Sequence, residues 1–365
     1  MIDHPPLPDC NLKLKVTEAS QAGEARRVAA ALARDLGFDE VEAGKAAIVA
    51  SEAASNLSQY AQQGELLLRP LAQGDSRGLE ILALDKGPGI ADVAECLRDG
   101  YSTGSGAGIG LGAISRLSAL FDIYSRVPMG TALLARLWSK PAPAESDIPL
   151  LDIGALCAPA PGQIVVGDGW AVHQSPERSQ VLVVDGLGHG PLAAEAAQAA
   201  LRLFGEHHGL SPAAVIEAAH SALHATRGAV MAVAEVDSLQ QTVRFCGVGN
   251  ITGAVYSAGR WHGLISYEGT VGYAVHKIRE FSYPWVTEAT PTTPLLIMHS
   301  DGLTGRWNLD HYPGLMRHHP GLIAGILYRD FRREHDDATV VVARPSSHTG
   351  PETQSTPPSA LGNLP

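Results

Sequence analysis

In the second half of the chain, apolar strand-like runs repeatedly meet an aspartate at a turn. Three such runs end at Asp168, Asp185 and Asp301, and the pair Asp336 and Asp337 precedes a fourth run. A single aspartate after a strand is ordinary turn chemistry. Turn chemistry alone is a poor explanation for four aspartates at strand ends within one half of the chain. If these carboxylates converge from distant segments, they form an oxygen-rich site that suits Mg²⁺ or Mn²⁺.

A site of this kind has a definite chemical use. Two divalent cations held by carboxylates can share a bridging water, lower its pKa and direct it at a phosphoryl group. The phosphoester bond then breaks by in-line attack, without a covalent enzyme intermediate. The aspartate pattern therefore predicts a two-metal site for phosphoester hydrolysis in the second half of the chain.

The first half of the chain contains a long alanine-rich segment that predicts a helix, VEAGKAAIVASEAASNLSQYA. Glu52 and Asn56 lie four residues apart on this helix, so their side chains share one face. A carboxylate beside a carboxamide can position a water or hydroxyl and can hold Mg²⁺ through oxygen atoms. Taken alone, such a pair is more often a solvated stripe.

Glycine-rich turns follow this helix. A short apolar strand, LEILAL, runs into Asp85, and Gly87 and Gly89 come directly after it. An aspartate at a strand end can accept a hydrogen bond from an adenine amino group, and glycines let the backbone approach a planar ring. The glycine-rich segment 103–112 then opens a predicted helix, where backbone N–H groups can bind phosphates. The dipeptide at 130–131, Gly-Thr, precedes the last strand of this half.

The order of these motifs resembles the GHKL ATP-binding fold, and within it the small anti-sigma-factor kinases of the RsbT and RsbW type. The resemblance is carried by SEAASNLSQYA, LDKGPGI, GAGIGLGAISRLS and GTALLARLW. It implies that Asn56 holds Mg²⁺, that Glu52 is the base that activates a substrate hydroxyl, and that Asp85 binds adenine. The other residues that it assigns to the nucleotide are Gly87 and Gly89 in the adenine pocket, Gly108, Gly110 and Gly112 along the triphosphate, and Thr131.

The second half resembles the metal-dependent Ser/Thr phosphatases of the SpoIIE, RsbU and RsbX group. The segments GDGWAV, VVDGLGHG, GVGNITG, HSDGL and DDATVVVAR carry this resemblance. It implies that Asp168 and Asp185 are the central metal ligands and that the Gly186 carbonyl binds the same metal. Asp301 and one residue of the terminal pair complete the second metal, with Asp336 favoured over Asp337. Three further residues of these motifs are assigned structural or spacer roles: His189, Gly249 and Asn250.

These patterns predict an α/β (α+β) protein with two domains. A GHKL-type α/β sandwich is expected over residues 11–140, and an αββα phosphatase sandwich over residues 151–344. The segment 141–150, rich in Pro, Ala and Ser, is interpreted as a linker. The polar, Pro-rich segment 345–365 lacks periodicity and is predicted to be disordered.

Composition excludes several other classes of function. The chain has 27 basic and 38 acidic residues and a net charge of −11, which argues against a nucleic-acid groove or an anionic membrane surface as partner. No apolar stretch is long enough to span a bilayer, and the first residues lack a secretory signal pattern. The four cysteines are scattered without a CxxC pair, so we expect reduced thiols and a cytoplasmic location.

The combined interpretation is a bifunctional signalling regulator of the bacterial stress-response type. Its phosphatase half, with two Mn²⁺ or Mg²⁺ ions, is expected to dephosphorylate phosphoserine or phosphothreonine on a partner protein. The resemblance implies a STAS-type anti-sigma antagonist as that partner. The N-terminal half is expected to bind ATP with Mg²⁺, and either to transfer its phosphate as a kinase or to bind ATP or a partner only. A non-catalytic partner-switching protein is the remaining alternative.

Overall fold

The computed structural model describes residues 10–97, 110–140, 149–207, 209–286 and 293–346. The predicted linker 141–150 and tail 345–365 lie almost wholly outside these ranges, and so does Gly108. Among the described helices, none combines the length and the apolar character needed to cross a lipid bilayer.

The N-terminal half is a five-stranded antiparallel sheet with helices packed on one face. The strand order is β1-β2-β3-β5-β4. The strands are β1 (Leu12–Val16), β2 (Gly64–Gln73), β3 (Ser76–Leu84), β4 (Leu120–Arg126) and β5 (Gly130–Trp138). The helices are α1 (Ser20–Asp35), α2 (Glu40–Tyr60), α3 (Val93–Cys96) and α4 (Gly110–Leu117).

Helix α2 carries the predicted Glu52 and Asn56, and its sequence explains where it begins. The side chain of Asp39 accepts a hydrogen bond from the backbone N–H of Glu42 at 2.8 Å, which caps the helix. Acidic residues in the first turn also interact favourably with the helix dipole. A series of buried alanines lets α2 pack closely against α1 and the sheet: Ala43, Ala46, Ala47, Ala50, Ala53 and Ala54.

In the part of the C-terminal half that the structure describes, there are two large sheets and three α-helices. The strands are β6 (Leu151–Ala158), β7 (Asp168–Gln174), β8 (Arg178–Gly186), β9 (Ala229–Asp237), β10 (Thr242–Val248), β11 (Thr252–Ser257), β12 (Arg260–Leu264), β13 (Ser266–Tyr267), β14 (Gly269–Thr270), β15 (Ala274–Val275), β16 (Phe281–Pro284), β17 (Leu295–His299) and β18 (Ala338–Pro345). The helices are α5 (Pro191–Glu206), α6 (Pro212–Ala222) and α7 (Pro320–Phe331).

The two large sheets stack face to face. One has the order β13-β10-β9-β8-β7, with β16 also paired to β10, and the other has the order β12-β11-β17-β18-β6. Apolar side chains such as Val183, Phe245 and Val341 fill the space between them. Helices α5 and α6 cover the outer face of the first sheet, and α7 covers the outer face of the second. This arrangement confirms the predicted αββα sandwich.

Helix α7 also covers the free face of the N-terminal sheet, which sequence analysis did not predict. Ile323 and Leu327 of α7 belong to one buried cluster with Leu82 and Leu134 of the N-terminal sheet. The approach is close, since a Cβ atom placed on Gly325 would lie 2.9 Å from a methyl carbon of Leu82. The two halves are therefore joined by a common apolar core around α7.

The first turn of α7 depends on a neutral histidine. The ring Nδ1 of His319 accepts the backbone N–H of Gly321 at 2.9 Å, and a protonated ring cannot accept this bond. The backbone N–H of His319 donates to Asp122 of the N-terminal sheet at 2.7 Å. Burial, and then the positive charge of Arg136, lower the pKa of His319 from 6.5 to about 3.

We expect this histidine to make the protein sensitive to mild acid. The unfolded chain takes up a proton near pH 6.5, whereas folded His319 does so only near pH 3, so stability is lost as the pH falls through this interval. Between pH 7 and pH 5 the loss should be on the order of 2 kcal/mol. Urea unfolding at both pH values measures it.

The control is His319→Asn, which keeps a capping acceptor but does not titrate. It should lose less stability between the two pH values than the wild type. An equal loss in both proteins would contradict the assignment to His319. Replacement of the exposed His276 by Asn should leave the wild-type pH dependence unchanged.

Candidate active sites

The predicted metal ligands of the C-terminal half lie at one end of the two stacked sheets. Asp168, the first residue of β7, pairs directly with Asp185 near the end of β8. Asp301 follows β17 and Asp336 precedes the neighbouring strand β18. The two sheets are linked at this end by Ser300, whose hydroxyl donates to Asp168 at 2.6 Å. The structure thus brings together carboxylates that are far apart in sequence.

Burial and the mutual proximity of the carboxyl groups raise the pKa values of Asp168 and Asp185. Burial raises the pKa of Asp185 far above 3.8, and the negative charges of Asp168, Asp301, Asp336 and Asp337 raise it further. The pKa of Asp168 is also raised, chiefly by burial, although the hydroxyl that donates to it opposes the rise. A cluster in which ionisation is this unfavourable is suited to a cation, which would neutralise the charge.

The two adjacent aspartates before β18 have different surroundings. Both side-chain oxygens of Asp337 accept backbone N–H groups, from Ala160 at 2.7 Å and from Gly167 at 2.6 Å. Asp337 is buried and holds the segment that leads to Asp168. Asp336 is half-buried and accepts the backbone N–H of Asp337 at 3.0 Å. This geometry supports Asp336 as the metal ligand of the pair.

Asp301, another predicted metal ligand, also contacts a protein side chain. The side-chain amide of Asn250 donates to Asp301 at 2.8 Å, so Asn250 touches a predicted ligand although its motif suggested a structural role only. Within the described ranges, no three His, Cys, Asp or Glu side chains are oriented as a ready metal cage. The donor chemistry fits a hard cation, and binding one would exchange these hydrogen bonds for metal–oxygen bonds.

Two other residues of the phosphatase motifs can be placed. Gly186 ends β8, and a Cβ atom there would lie 2.1 Å from the carbonyl oxygen of Ala193, so the start of α5 leaves no room for a side chain. His189 lies exposed in the turn before α5, as expected for a spacer. The metal roles of these motifs remain predictions.

In the N-terminal half, Glu52 and Asn56 face the start of α4. A Cβ atom on Gly110 would lie 3.3 Å from Glu52 Oε2 and 3.4 Å from Asn56 Oδ1. Gly112 is buried on the same helix. Asn56 Nδ2 is buried and has no hydrogen-bond partner among the described residues. Buried amides normally have partners, so this side chain fits a site that takes a polar ligand such as a Mg²⁺-bound triphosphate.

Asp85 lies just after β3 and near the C-terminal end of α2, since a Cβ atom on Gly87 would lie 2.6 Å from the carbonyl oxygen of Tyr60 and 2.9 Å from Asp85 Oδ1. Its Oδ1 accepts the backbone N–H of Gly87 at 2.7 Å, and its own backbone N–H donates to the carbonyl of Thr131 at 2.9 Å. Burial raises the pKa of Asp85, while hydrogen bonds from Gly87 and Thr131 and the charge of Arg329 oppose the rise. A half-buried carboxylate at the end of a strand suits recognition of an amino group on a base.

The glycines near Asp85 are required by the protein's own backbone. A Cβ atom on Gly87 would lie 2.6 Å from the carbonyl oxygen of Tyr60. Gly89 has φ of +76°, and a Cβ atom there would lie 2.3 Å from the carbonyl oxygen of Arg126. These contacts explain the glycines without a ligand, so their place in an adenine pocket remains a prediction.

Sequence reasoning missed Arg329, which reaches this site from α7. Its Nη1 donates to the backbone carbonyl of Asp85 at 2.8 Å. The available signal was a lone arginine within the apolar helix sequence PGLIAGILYRDF. It also missed Ser300 and Asn250 as contacts of the aspartates, although both lie in the motifs that carry the aspartates or follow them.

Comparisons with protein families match both halves of the chain. The family described as histidine kinase-like ATPase domain matches residues 16–137, and the family described as Stage II sporulation protein E (SpoIIE) matches residues 175–346. Serine/threonine-protein kinase RsbT of Bacillus subtilis (strain 168) is 36% identical over 114 residues, which cover 31% of this chain and 86% of RsbT.

Solved structures are also similar to the chain, and two of them show the extent of this similarity. A structure from work on the bacterial stressosome as a modular system adapted to control secondary messenger signaling is 28% identical, covers 53% of this chain and 99% of that chain, and has a TM-score of 0.49. A crystal structure of RsbX in complex with magnesium is 21% identical, covers 54% of this chain and 96% of that chain, and has a TM-score of 0.48.

The family matches and the RsbT similarity agree with the fold of each half. The predicted resemblance to GHKL-type kinases in the N-terminal half and to SpoIIE-type phosphatases in the C-terminal half is confirmed. The chain therefore belongs, through residues 16–137, to the histidine kinase-like ATPase domain family together with RsbT, and its residues 175–346 match the SpoIIE family.

Proposed function

We propose that the C-terminal half hydrolyses phosphoserine or phosphothreonine on a partner protein and depends on two divalent cations, Mn²⁺ or Mg²⁺. The observation that carries this proposal is the meeting of four strand-end aspartates at one end of the sandwich, with Asp185 strongly resisting ionisation. Divalent cations, when bound, supply Lewis acidity that lowers the pKa of a water and neutralises phosphoryl charge.

The chain's own residues have separate tasks in this site. Asp168 and Asp185, with the Gly186 carbonyl, would hold one cation, and Asp301 with Asp336 would complete the second. Ser300 restrains the Asp168 carboxylate through the hydroxyl bond of 2.6 Å. Asn250 and Asp337 act one step further out, by orienting Asp301 and the segment before Asp168.

The N-terminal half is proposed to bind ATP with Mg²⁺ and to transfer phosphate to a serine or threonine. Asn56 would hold Mg²⁺, Glu52 would take the proton of the attacked hydroxyl, and Asp85 would accept the adenine amino group. Similarity to RsbT, which is named a serine/threonine kinase, supports this role. The remaining residues of the proposed nucleotide site are Gly87, Gly89, Gly108, Gly110, Gly112 and Thr131.

Both activities are proposed to act on one STAS-type anti-sigma antagonist in a cytoplasmic stress-signalling pathway. A kinase and a phosphatase on one chain would each work at raised effective concentration on a shared partner. Two alternatives remain. The N-terminal half binds ATP or the partner without transferring phosphate, or the whole chain is a non-catalytic partner-switching protein.

Two substitutions in the N-terminal half separate kinase activity from ATP binding. Asp85→Asn should weaken ATP binding by about tenfold, roughly 1.4 kcal/mol, because an adenine contact loses its acceptor charge. Glu52→Gln should leave ATP affinity within about twofold but lower phosphate transfer by at least about 100-fold, since the general base is lost. Calorimetry measures the first effect, and transfer of labelled phosphate from ATP to a STAS protein measures the second.

The matched control is Glu24→Gln on the exposed face of α1, which should behave like the wild type in both assays. A wild-type protein that binds ATP but transfers no phosphate to any STAS protein supports the binding-only alternative. Transfer that survives in Glu52→Gln contradicts the role of Glu52 as the base.

A further inference from the structure

Arg329 of the phosphatase half contacts the proposed nucleotide site of the other half. Its Nη1 donates to the backbone carbonyl of Asp85 at 2.8 Å and lies 3.5 Å from the carbonyl oxygen of Thr131. Its side chain is only 6% exposed. A buried guanidinium therefore binds the backbone of two residues that the proposed function assigns to ATP.

The guanidinium is held in a fixed orientation. Asp330 accepts Arg329 Nε at 2.9 Å with one oxygen and Nη2 at 2.8 Å with the other. The hydroxyl of Tyr312 also donates to Asp330, at 2.9 Å. A bidentate pair of this kind is rigid, and it leaves Nη1 directed at Asp85.

The carbonyl of Asp85 is enclosed on its other side by Gly130. This glycine has φ of +84°, and a Cβ atom there would lie 2.2 Å from the carbonyl oxygen of Asp85. The carbonyl thus occupies a narrow slot between Gly130 and Arg329. The backbone N–H of Asp85 donates to the carbonyl of Thr131 at 2.9 Å, so both peptide groups that flank its Cα are held, and its Oδ1 accepts the N–H of Gly87.

The same end of α7 contacts the loops of the metal ligands. The carbonyl of Phe331, the last residue of α7, accepts the backbone N–H of Thr304 at 2.9 Å. The backbone N–H of Arg333 donates to the carbonyl of Gly302 at 2.7 Å. Gly302 follows Asp301 directly, and Asp336 lies three residues after Arg333. One helical turn therefore touches both proposed sites.

We propose that Arg329 is a positioning residue of the nucleotide site, supplied by the phosphatase half, and that α7 couples nucleotide binding to cation binding at Asp301 and Asp336. The proposal rests on the proposed function of both sites. Each ligand favours the same placement of the last turn of α7, so binding of one raises the affinity for the other. Linkage makes this effect reciprocal.

Calorimetric titration with ADP, at one fixed Mg²⁺ concentration, tests the proposal without relying on turnover. Arg329→Gln should raise the Kd of ADP roughly tenfold. Arg329→Lys keeps the charge but not the bidentate pair, so its Kd should lie between those of the wild type and Arg329→Gln. Asp301→Asn, which damages only the phosphatase site, should raise the Kd of ADP roughly fivefold in the wild type. In the Arg329→Gln background, Asp301→Asn should change the Kd of ADP little further.

The matched controls are Arg333→Gln, which removes an exposed arginine next to the same helix end, and the exposed Asp310→Asn. Both should bind ADP as the wild type does. Unchanged ADP affinity in Arg329→Gln and Arg329→Lys overturns the proposal, and so does an Asp301→Asn effect that persists in Arg329→Gln. If Arg329→Gln does not fold, the Arg329→Lys titration decides. A wild type that binds no ADP overturns the proposed nucleotide site itself.

Discussion

Replacement of Asp185 by asparagine is expected to lower Mn²⁺-dependent hydrolysis of an aryl phosphate by at least about a thousandfold. Asp185 lies opposite Asp168 in the strand register, and burial followed by the charges of the neighbouring aspartates raises its pKa to about 9. Loss of this charge would remove a proposed ligand of the cations, whose stabilisation of phosphoryl charge in the transition state would be worth several kcal/mol. Steady-state assays of the intact chain with and without Mn²⁺ measure the effect.

The same substitution should act on stability in the opposite direction. Without metal, Asp185→Asn relieves repulsion among the aspartates, so it should be at least as stable as the wild type in EDTA. Addition of Mn²⁺ should then stabilise the wild type more than the variant, because only the state that binds cation gains free energy. Thermal unfolding in EDTA and in Mn²⁺ gives both comparisons.

Variants of the other aspartates complete this test. Asp336→Asn should lose activity and keep its fold, whereas Asp337→Asn should lose stability, because Asp337 accepts two buried backbone N–H groups. The exposed Asp75→Asn is the control and should match the wild type. Turnover that survives in Asp185→Asn, or that never depends on metal in the wild type, would contradict a two-cation phosphatase.

Local patterns were sufficient to predict much of this protein. The helix with Glu52 and Asn56 follows from its alanine content, and the strand before Asp85 follows from its apolar run. The strand-end positions of Asp168 and Asp185 follow in the same way, and the structure pairs them directly. Each feature depends on a few neighbouring residues, so the sequence carries enough information to specify it.

Other features depend on contacts between distant segments. Asp336 and Asp337 are adjacent, and only the fold shows that Asp337 is occupied by backbone donors 170 or more residues away. Helix α7 is apolar on most of its surface, and periodicity cannot say which sheet each face meets. Arg329 meets Asp85 across 244 residues of sequence, for the same reason.

The interface between the two halves also contains a buried ionic triad that sequence could not reveal. Arg69, Glu80 and Arg136 lie directly opposite one another on three neighbouring strands of the N-terminal sheet. Glu80 accepts Arg69 Nη2 at 2.8 Å with one oxygen and Arg136 Nε at 2.8 Å with the other. Gly321 of α7 packs over it, since a Cβ atom there would lie 3.4 Å from Glu80 Oε2.

Glu80→Gln is therefore expected to destabilise the protein by about 3–5 kcal/mol, because two buried guanidinium groups lose their counter-charge. Burial alone would raise the pKa of Glu80, but Arg69 and Arg136 hold it at about 2, so the carboxylate is charged at neutral pH. Urea unfolding at pH 7 measures the loss. The exposed Glu18→Gln should change stability by less than about 0.5 kcal/mol.

A triple variant, Arg69→Met, Glu80→Leu and Arg136→Met, distinguishes a broken triad from a missing one. Apolar side chains of similar volume need no counter-charge, so this variant should recover most of the stability that Glu80→Gln loses. Recovery would mean that the triad contributes little net stability and that its partial removal is what is costly. A triple variant as unstable as Glu80→Gln would instead show that the hydrogen bonds themselves hold the N-terminal sheet against α7.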